Sequence, residues 1–589
     1  MVRAKLHLLS PGIVSMRFLG QKDMAEEAER AVALLAPSCE PHHRTGCWIF
    51  PLPYLPDVAR VLKSHVARVT VSPELAVAHR RWKKFNAAVL ALKSKSTEHF
   101  PAAPYEAIFR QPFIPHPYQR QGVAVMLACK RLLLGDAVGL GKTIQSVAAI
   151  ALAMRQGICR RAMVVTMASL KGQWCDEAAS YLQSEAVGGL ASGFTAVGGD
   201  KRRRLEAYRN PRSRVLVLNY ELFLHDFKSL PPVDMIVLDE AARIKNLDAR
   251  TTKNIKMYCA RHKVRYRYAL TATAIENRLE DLFSILSFFG DRSLGFHTYF
   301  TYHYCKLRQF TVPKTGARVR QVVGHLNLDE AKSRTAHILL RRTKDDVGLE
   351  LPELVVRNVA VDLGQQQRKA YEGIKAEAED PESSLNPLQR SLLLREVCDS
   401  LALVGGGGLG DESSKLEELR QFVRDTLGPE HSVVVFTQWK RMAKLIAKGL
   451  ECCYEDGRGP RIICGDVKDS DRDRHRRDFN AGKFRCLVMT DAGKAGLNLQ
   501  ACETLVNFEL PWNPATLKQR IGRMHRSGQQ HEVTTVVNLI TNGTIEHNVA
   551  RRLMRRHRVF DKVLTAAEDE LQAMDLSRTL TMAELKELA

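Results

Sequence analysis

No run of apolar residues in this chain reaches the ~18 positions needed to cross a bilayer, so no membrane-spanning helix is expected. Near the start, Lys5 and several leucines are followed by Pro11, Gly12 and Arg17, which interrupt any secretory leader core. No Cys-x-x-Cys pair occurs among the 13 cysteines, whose spacing is irregular. In a chain of this length that pattern argues against a disulfide framework and for a reducing compartment. Cys39, His42, His43 and Cys47 lie close together, but without the spacing of a zinc finger. Acidic residues are in deficit: 65 Asp+Glu stand against 88 Lys+Arg, a formal net charge of +23. Such an excess points to a polyanionic partner, nucleic acid foremost. The basic clusters Lys201-Arg202-Arg203-Arg204, 261–267, Arg341-Arg342 and 551–558 are scattered, as along a groove rather than in a tail. The expected setting is soluble and intracellular: cytoplasmic in a prokaryote or virus, nuclear in a eukaryote.

What is present is material for large cores. The 589 residues are 45% hydrophobic and 26% charged, a globular balance. Short apolar strand candidates alternate with helical stretches in two series. The first comprises 162–166, 215–218, 235–238 and 268–270; the second comprises 433–436, 461–464, 486–489, 505–508 and 533–539. Two alternating series predict two α/β lobes, each a doubly wound parallel sheet. The region 279–403 reads as more helical and closes on Gly405-Gly406-Gly407-Gly408, a linker. The expected domains are an accessory α+β module (1–100), a first lobe (105–300), a helical insertion and linker (301–411), a second lobe (412–560) and a helical brace (561–589).

The chemistry concentrates in a few motifs. After the apolar Leu132-Leu133-Leu134 comes Gly135-Asp136-Ala137-Val138-Gly139-Leu140-Gly141-Lys142-Thr143, then a helical stretch from Ile144 to Met154. Strand, glycine loop and helix are the context in which backbone N–H groups cradle phosphate. Asp136 stands where the first glycine of that pattern belongs. Gly139 and Gly141 open the loop, Lys142 offers a cation to phosphates, and Thr143 offers a hydroxyl to Mg²⁺. An ordinary glycine turn before a helix is the competing reading. About a hundred residues later, the apolar Met235-Ile236-Val237-Leu238 ends in Asp239-Glu240-Ala241-Ala242. Asp239 can hold Mg²⁺ through water while Glu240 takes a proton from the attacking water. A solvated acidic helix start is the bland alternative. Together, and in this order, the two motifs indicate a nucleoside triphosphatase using Mg²⁺.

Further motifs follow in sequence: Pro117-Tyr118-Gln119-Arg120-Gln121-Gly122, Leu270-Thr271-Ala272-Thr273-Ala274-Ile275-Glu276-Asn277, 340–347, 434–439, 490–500 and 519–529. The ordered set, over residues 105–560, resembles the Swi/Snf family of DNA-dependent ATPases within the superfamily-two helicase-like motors. The resemblance implies two RecA-like lobes. Gln119 then reads the adenine edge, and Lys142, Asp239 and Glu240 serve catalysis. Gln519, Arg523 and Arg526 belong to the motif offered from the second lobe, the two arginines acting as arginine fingers. Read from spacing alone, Arg520, Arg523 and Arg526 form a basic helix face. The resemblance also implies DNA contacts at Ser169, Lys171, Gln438, Thr490, Lys494 and Trp512. Trp512 can stack or wedge against bases, or sit in a core. Ala242, Ala272, Ala274 and Lys494 depart from the usual pattern and bear on coupling more than on hydrolysis.

Residues 1–100 look like a HARP module, the companion of annealing helicases. Trp48, Phe50 and Tyr54, with Arg44, Arg60 and Lys63 nearby, are then expected to form a junction-recognising surface. The implied activity is ATP-dependent translocation on double-stranded or branched DNA by a monomeric motor. The alternatives are a strand-separating helicase and a nucleotide-binding DNA scaffold without turnover.

Overall fold

The computed structural model describes residues 3–19, 26, 38–42, 47–66, 68–183, 189, 193–271, 279–311, 318–348, 352–377, 386–404, 410–454, 458–467, 469–491, 497–525, 529–551 and 553. Two compact units divide the chain: residues 1–136 with 142–342, and residues 137–141 with 343–589.

The first unit holds two larger sheets. The smaller of them is ordered Glu40–His42, Cys47–Pro51, Ile13–Leu19, Arg3–Ser10, Arg68–Val71. Its strands alternate in burial, turning Ala4, Leu6, Val14, Met16 and Phe18 inward. That period of two is what a sheet with one covered face requires. The following helix, Pro73–Ser94, starts where Ser72 Oγ accepts the Leu75 N–H at 3.3 Å. Its C-terminal turn is seated by Lys93, whose Nζ donates to the carbonyls of Ala336 and Leu339 at 2.6 and 2.9 Å. Gln121 Nε2 donates in turn to the carbonyls of Lys93 and Lys95, each at 3.0 Å. Tyr54 donates its hydroxyl to the Ser293 carbonyl at 3.0 Å. Phe50 and Tyr54 are 0% and 1% exposed, so the expected aromatic recognition surface is instead the packing face of this module.

The larger sheet runs Leu339–Leu340, Arg131–Leu134, Tyr266–Leu270, Met235–Asp239, Ala162–Thr166, Val215–Asn219, Phe194–Ala196, every pairing parallel. The strands Ala162–Thr166 and Val215–Asn219 are buried at every position. Helices cover both faces of such a sheet, which explains the unbroken apolar runs.

In the second unit the sheet order is Glu353–Val361, Val533–Thr541, Thr504–Asn507, Val433–Thr437, Cys486–Thr490, Arg461–Ile463, again wholly parallel. Each unit contains a parallel-sheet α/β lobe, as the two alternating series predict, and the pair matches the RecA-like lobes that the resemblance implies. The region read as helical differs. Cys305–Thr311 and Arg318–His325 form an antiparallel hairpin, and Glu353–Val361 is an edge strand of the second sheet, paired along its length with Val533–Thr541. The hairpin strand Cys305–Thr311 is mostly exposed, so it lacks the apolar alternation that marks a strand. The edge strand is interrupted by Arg357 and Asn358, which mask its apolar run. The span expected as an insertion, 301–411, is thereby shared between the two units.

Among the expectations above, His43, Arg44, Ala272–Asn277, the linker 405–408, Lys494, Arg526 and the brace 561–589 lie outside the described residues. No helix among the described residues is long and apolar enough to cross a membrane.

Candidate nucleotide site and nucleic-acid residues

The nucleotide motifs gather at the carboxyl ends of parallel strands, where open α/β sheets bind ligands. The loop after Arg131–Leu134 turns through Gly139 (φ 92°) and Gly141 (φ 70°), conformations that L side chains resist. It ends at the helix Lys142–Arg155. Lys142 Nζ folds back to donate to the Asp136 carbonyl at 2.7 Å, closing the loop upon itself. Thr143 stands partly exposed in the first helical turn.

Asp136 is fully buried, and its side chain faces Arg342. Arg342 Nε and Nη2 donate to Oδ1 and Oδ2 at 3.0 and 2.5 Å, and Gln145 Nε2 donates to Oδ2 at 3.0 Å. Arg342 also donates to the Tyr118 carbonyl and to Gln145 Oε1, and lies 5.4 Å from the centre of the Tyr118 ring. Asp136 thus gives the loop a carbonyl, while its carboxylate ties the strand end to 342 and to the phosphate-loop helix. Gln119 is buried; its Oε1 accepts the His116 N–H at 3.0 Å and its Nε2 donates to the Tyr118 hydroxyl at 3.3 Å.

Asp239 ends its strand beside Thr166, because Leu238 pairs with Val165 in the neighbouring strand. Its Oδ2 accepts from Thr166 Oγ1 and from Trp174 Nε1, both at 2.9 Å, and its Oδ1 accepts the Glu240 N–H at 3.0 Å. These neutral donors fix the orientation of the carboxylate, whose oxygens suit a hard cation. Tyr220 donates to the Asp239 carbonyl at 2.8 Å. Glu240 takes φ 50° and ψ 54°, a left-handed conformation that costs a non-glycine residue energy and recurs at functional sites. Thr166, Trp174 and Tyr220 were not singled out from sequence, and Arg342 was read only as part of a basic cluster and of the 340–347 motif, without its partner. Only their positions after strand ends, or within the 340–347 motif, signalled them.

In the second unit, Arg520 and Arg523 are 0% and 6% exposed, which overturns their reading as an exposed basic face. Arg520 is bidentate to Asp491, with Nε and Nη2 each at 3.0 Å from the carboxylate. Its Nη1 donates to Asn507 Oδ1 at 2.9 Å and to the Glu509 carbonyl at 3.0 Å. Asn507, Asn538 and Asn358 then link their amides across three adjacent strands at 2.8 and 2.9 Å. Arg523 Nη1 donates to the Leu497 carbonyl at 3.2 Å, and Gln519 is half-buried on the helix Pro514–Ile521.

The DNA candidates separate into different environments. Ser169 is half-buried in the turn Ala168–Leu170, and Lys171 Nζ donates to the Val197 carbonyl at 2.8 Å. Thr490 is 1% exposed at its strand end. Gln438 and Trp512 meet at one buried guanidinium, Arg395. With the Gln438 amide oxygen turned toward it, Oε1 accepts from Arg395 Nη1 and Nη2 at 3.0 and 2.9 Å. The Arg395 guanidinium lies 4.7 Å from the Trp512 ring centre, a cation–π contact. Beside it, buried Lys415 donates to Asp399 and Glu546 at 3.1 and 2.6 Å. Burial pushes the Asp399 carboxyl up to about 6 against the pull of Lys415, while Trp439 Nε1 donates to it at 2.9 Å. Burial and then Asp399 raise Glu509 well above the usual carboxylate range.

The SNF2-related domain model matches residues 118–403, and the helicase conserved C-terminal domain model matches residues 414–528. The uncharacterized ATP-dependent helicase YqhH of Bacillus subtilis (strain 168) is 25% identical over 493 residues, 79% of this chain and 82% of that protein. The putative ATP-dependent helicase/translocase YwqA of the same organism is 28% identical over 490 residues, 79% of this chain and 51% of that protein. The DNA repair and recombination protein RAD54 of Oryza sativa subsp. japonica is 27% identical over 530 residues, 78% of this chain and 53% of that protein. The chain therefore spans about half the length of the last two. The Sulfolobus solfataricus SWI2/SNF2 ATPase core domain is 24% identical with a TM-score of 0.36, covering 84% of this chain and 97% of that one. With a phosphate loop closed by its own lysine and an acidic pair fixed at a strand end, the chain is a DNA-dependent ATPase of the helicase-like class, similar to the SNF2-related domain over residues 118–403 and to the helicase conserved C-terminal domain over residues 414–528.

Proposed function

We propose that the protein is an ATP-driven translocase on double-stranded DNA that rewinds or remodels DNA structures or displaces bound protein. The observation that carries this reading is the Asp239 carboxylate, held by Thr166 and Trp174 at the end of the strand Met235–Asp239. A scaffold that only bound nucleotide would gain nothing from holding Glu240 beside it in a left-handed conformation.

The donor set fits Mg²⁺: a hydroxyl at the start of a helix and an oriented carboxylate, the hard oxygens that this ion takes. Thr143 and Asp239 would hold it, and when bound it neutralises phosphate charge. Lys142 binds the β- and γ-phosphates, Gln119 presents its amide to the adenine, and Glu240 accepts the proton of the attacking water. Arg523, Arg526 and Gln519 serve the transition state, where charge develops on the transferred phosphoryl group. The net charge of +23 supplies a sequence-independent hold on a phosphate backbone.

The test is phosphate release measured with no DNA, single strands, duplex and forked DNA, paired with displacement of a third strand from a triplex. Duplex-stimulated turnover with triplex displacement and no unwinding of plain duplex is expected. Net unwinding would make the protein a strand-separating helicase; absence of turnover would make it a scaffold.

The HARP-like likeness of residues 1–100 belongs to the same proposal. With Phe50 and Tyr54 buried, fork preference rests on exposed basic residues such as Arg60 and Lys63. Reversing both charges is expected to remove fork preference in the same ATPase assay. Unchanged preference would leave the module a structural support.

A further inference from the structure

The Arg342 side chain serves five acceptors at once. Nε and Nη2 donate to the two Asp136 carboxylate oxygens at 3.0 and 2.5 Å, and Nη2 also donates to Gln145 Oε1 at 2.9 Å. Nη1 donates to the Tyr118 carbonyl and, at 3.3 Å, to Gln121 Oε1. A guanidinium carries five N–H groups, so every donor is engaged. Arg342 is 7% exposed, and all four partners are buried with it. They lie on the helix Pro117–Cys129, at the start of the phosphate loop and on the helix Lys142–Arg155.

Gly122 shows how closely these elements meet. A Cβ added there would stand 1.9 Å from Gln145 Oε1 and 2.8 Å from Arg342 Nη2, too near for either atom to stay in place. Glycine is a poor residue in a helix interior, and here it leaves room for the network.

At one end the network reaches the base-reading amide. The Tyr118 hydroxyl accepts from Gln119 Nε2 at 3.3 Å, and the His116 N–H donates to Gln119 Oε1 at 3.0 Å. A backbone N–H only donates, so the amide oxygen is the end held at His116 and the amide does not turn over. A fixed amide matches adenine, which offers a donor at N6 and an acceptor at N7; guanine offers acceptors at both O6 and N7. At the other end, the Asp136 carbonyl accepts Lys142 Nζ at 2.7 Å, and the carboxylate of the same residue is the one that Arg342 holds.

We propose that Arg342 is a positioning residue for the nucleotide: through Tyr118 it sets Gln119 for adenine, and through Asp136 and Gln145 it sets the phosphate loop and Lys142. The inference rests on the reading that Gln119 and Lys142 hold ATP. It adds that base selection and phosphate binding share one support, supplied by the 340–347 motif some two hundred residues away in sequence.

Steady-state phosphate release by the full chain on saturating duplex, with ATP and with GTP, tests both ends. Inorganic tripolyphosphate, which has no base, serves as a competitive inhibitor. Arg342→Lys keeps the charge but replaces the planar fork with three donors on one nitrogen. It is expected to raise the KM for ATP and the inhibition constant of tripolyphosphate by about tenfold each, with a smaller fall in kcat. Gly122→Ala is expected to shift both constants in the same direction. The two atoms its methyl group displaces are ends of flexible side chains, so this variant gives the answer if Arg342→Lys does not fold. Tyr118→Phe removes only the hydroxyl. It is expected to narrow the ATP-over-GTP preference in kcat/KM by about fivefold and to leave tripolyphosphate inhibition as it is. Melting profiles accompany each variant. A lowered melting temperature with wild-type KM and inhibition in Arg342→Lys or Gly122→Ala would make the network a packing feature and overturn the proposal. An unchanged base preference in Tyr118→Phe overturns it as well. Gln119→Ala and Lys142→Ala separate the two readings: if they lose ATP while the other variants behave as wild type, only the positioning role falls, and if they turn over ATP normally, both readings fall.

Discussion

Arg342 meets both carboxylate oxygens of Asp136, at 3.0 and 2.5 Å, inside the first unit. The pair explains why the phosphate loop departs from its usual first glycine: the strand end has become an anchor for a distant arginine. Breaking one side of a buried pair costs about 3–5 kcal/mol, because the partner is left charged and uncompensated. Asp136→Gly, the change toward the common loop pattern, is therefore expected to destabilise the protein by that amount in urea unfolding. Asp136→Gly with Arg342→Leu is expected to recover part of the loss. Equal stability of Asp136→Gly and wild type would show that the pair contributes nothing.

Trp174 tests the acidic site without touching substrate. Trp174→Phe keeps most of the ring and removes the 2.9 Å hydrogen bond to Asp239. Loss of a group that orients a metal-binding carboxylate costs about 10–100-fold in affinity or activity. The variant is expected to need more Mg²⁺ for half-maximal phosphate release and to lose about tenfold in kcat. A fall in melting temperature with an unchanged Mg²⁺ requirement would assign Trp174 to packing alone.

The groups placed at the chemistry make a sharper set. Lys142→Ala is expected to lose nucleotide binding, and Glu240→Gln to bind ATP but stall. Arg523→Ala is expected to bind ATP and lose about a thousandfold or more in turnover, the scale of an arginine finger. Arg523 is 6% exposed, so its melting profile must accompany the rate. Turnover near wild type in any of the three would show that the hydrolytic site lies elsewhere.

Much of this architecture was legible because parallel strands buried on both faces leave unbroken apolar runs. The strands at 162–166, 215–219, 235–239 and 486–490 announce themselves in that way. Glu353–Val361 did not, because Asn358 within it serves an amide ladder to Asn538 rather than an apolar contact. The phosphate loop and acidic pair were legible because their chemistry is local. The second layer was not: Thr166, Trp174, Arg342 and Arg395 reach their partners over 43 to 206 residues, and no periodicity encodes that distance. Arg520 shows the converse error. Counted with Arg523 by spacing it reads as surface charge, yet Asp491 and Asn507 hold it in the core.

Asp226 carries a pH signature. Burial raises its carboxyl, but hydrogen bonds from Arg204, His225 and Tyr208 outweigh this and hold it down to about 2. Arg204 Nε and Nη2 approach its oxygens at 2.7 and 3.0 Å, and the Tyr208 hydroxyl at 2.8 Å. The folded value lies below the ordinary 3.8, so the ionised form favours the folded state. That contribution is complete above about pH 4 and is lost as pH falls toward 2. Asp226→Asn is expected to unfold at lower urea than wild type at pH 7 and pH 5, with the gap closing between pH 4 and pH 2. A gap that stays constant across that window would show that the carboxylate charge is not what stabilises the site.

The N-terminal module gives the last test, because Phe50 and Tyr54 face inward. Tyr54 donates to Ser293, and Arg334 lies 4.1 Å from its ring centre while pairing with Asp57 at 2.8 Å. Lys93 donates to the carbonyls of Ala336 and Leu339, the latter in the edge strand beside Arg131–Leu134, the strand that leads into the phosphate loop. Removing residues 1–100 would therefore strip hydrogen bonds and apolar cover from the first unit, and would not simply delete an appendage. The truncated chain is expected to melt lower and to lose ATPase activity with and without duplex. Tyr54→Phe, which removes one hydrogen bond worth about 1 kcal/mol, is expected to lower stability slightly and leave fork preference alone. Arg60→Glu with Lys63→Glu reverses exposed charge on the helix Leu55–His65 and removes the exposed 3.6 Å pair between Arg60 and Asp57, a contact of little worth, and is expected to shift fork preference with little change in melting temperature. If the truncated chain folds, melts like the full chain and keeps its duplex-stimulated turnover, these contacts do not support the first unit, and the module serves another purpose.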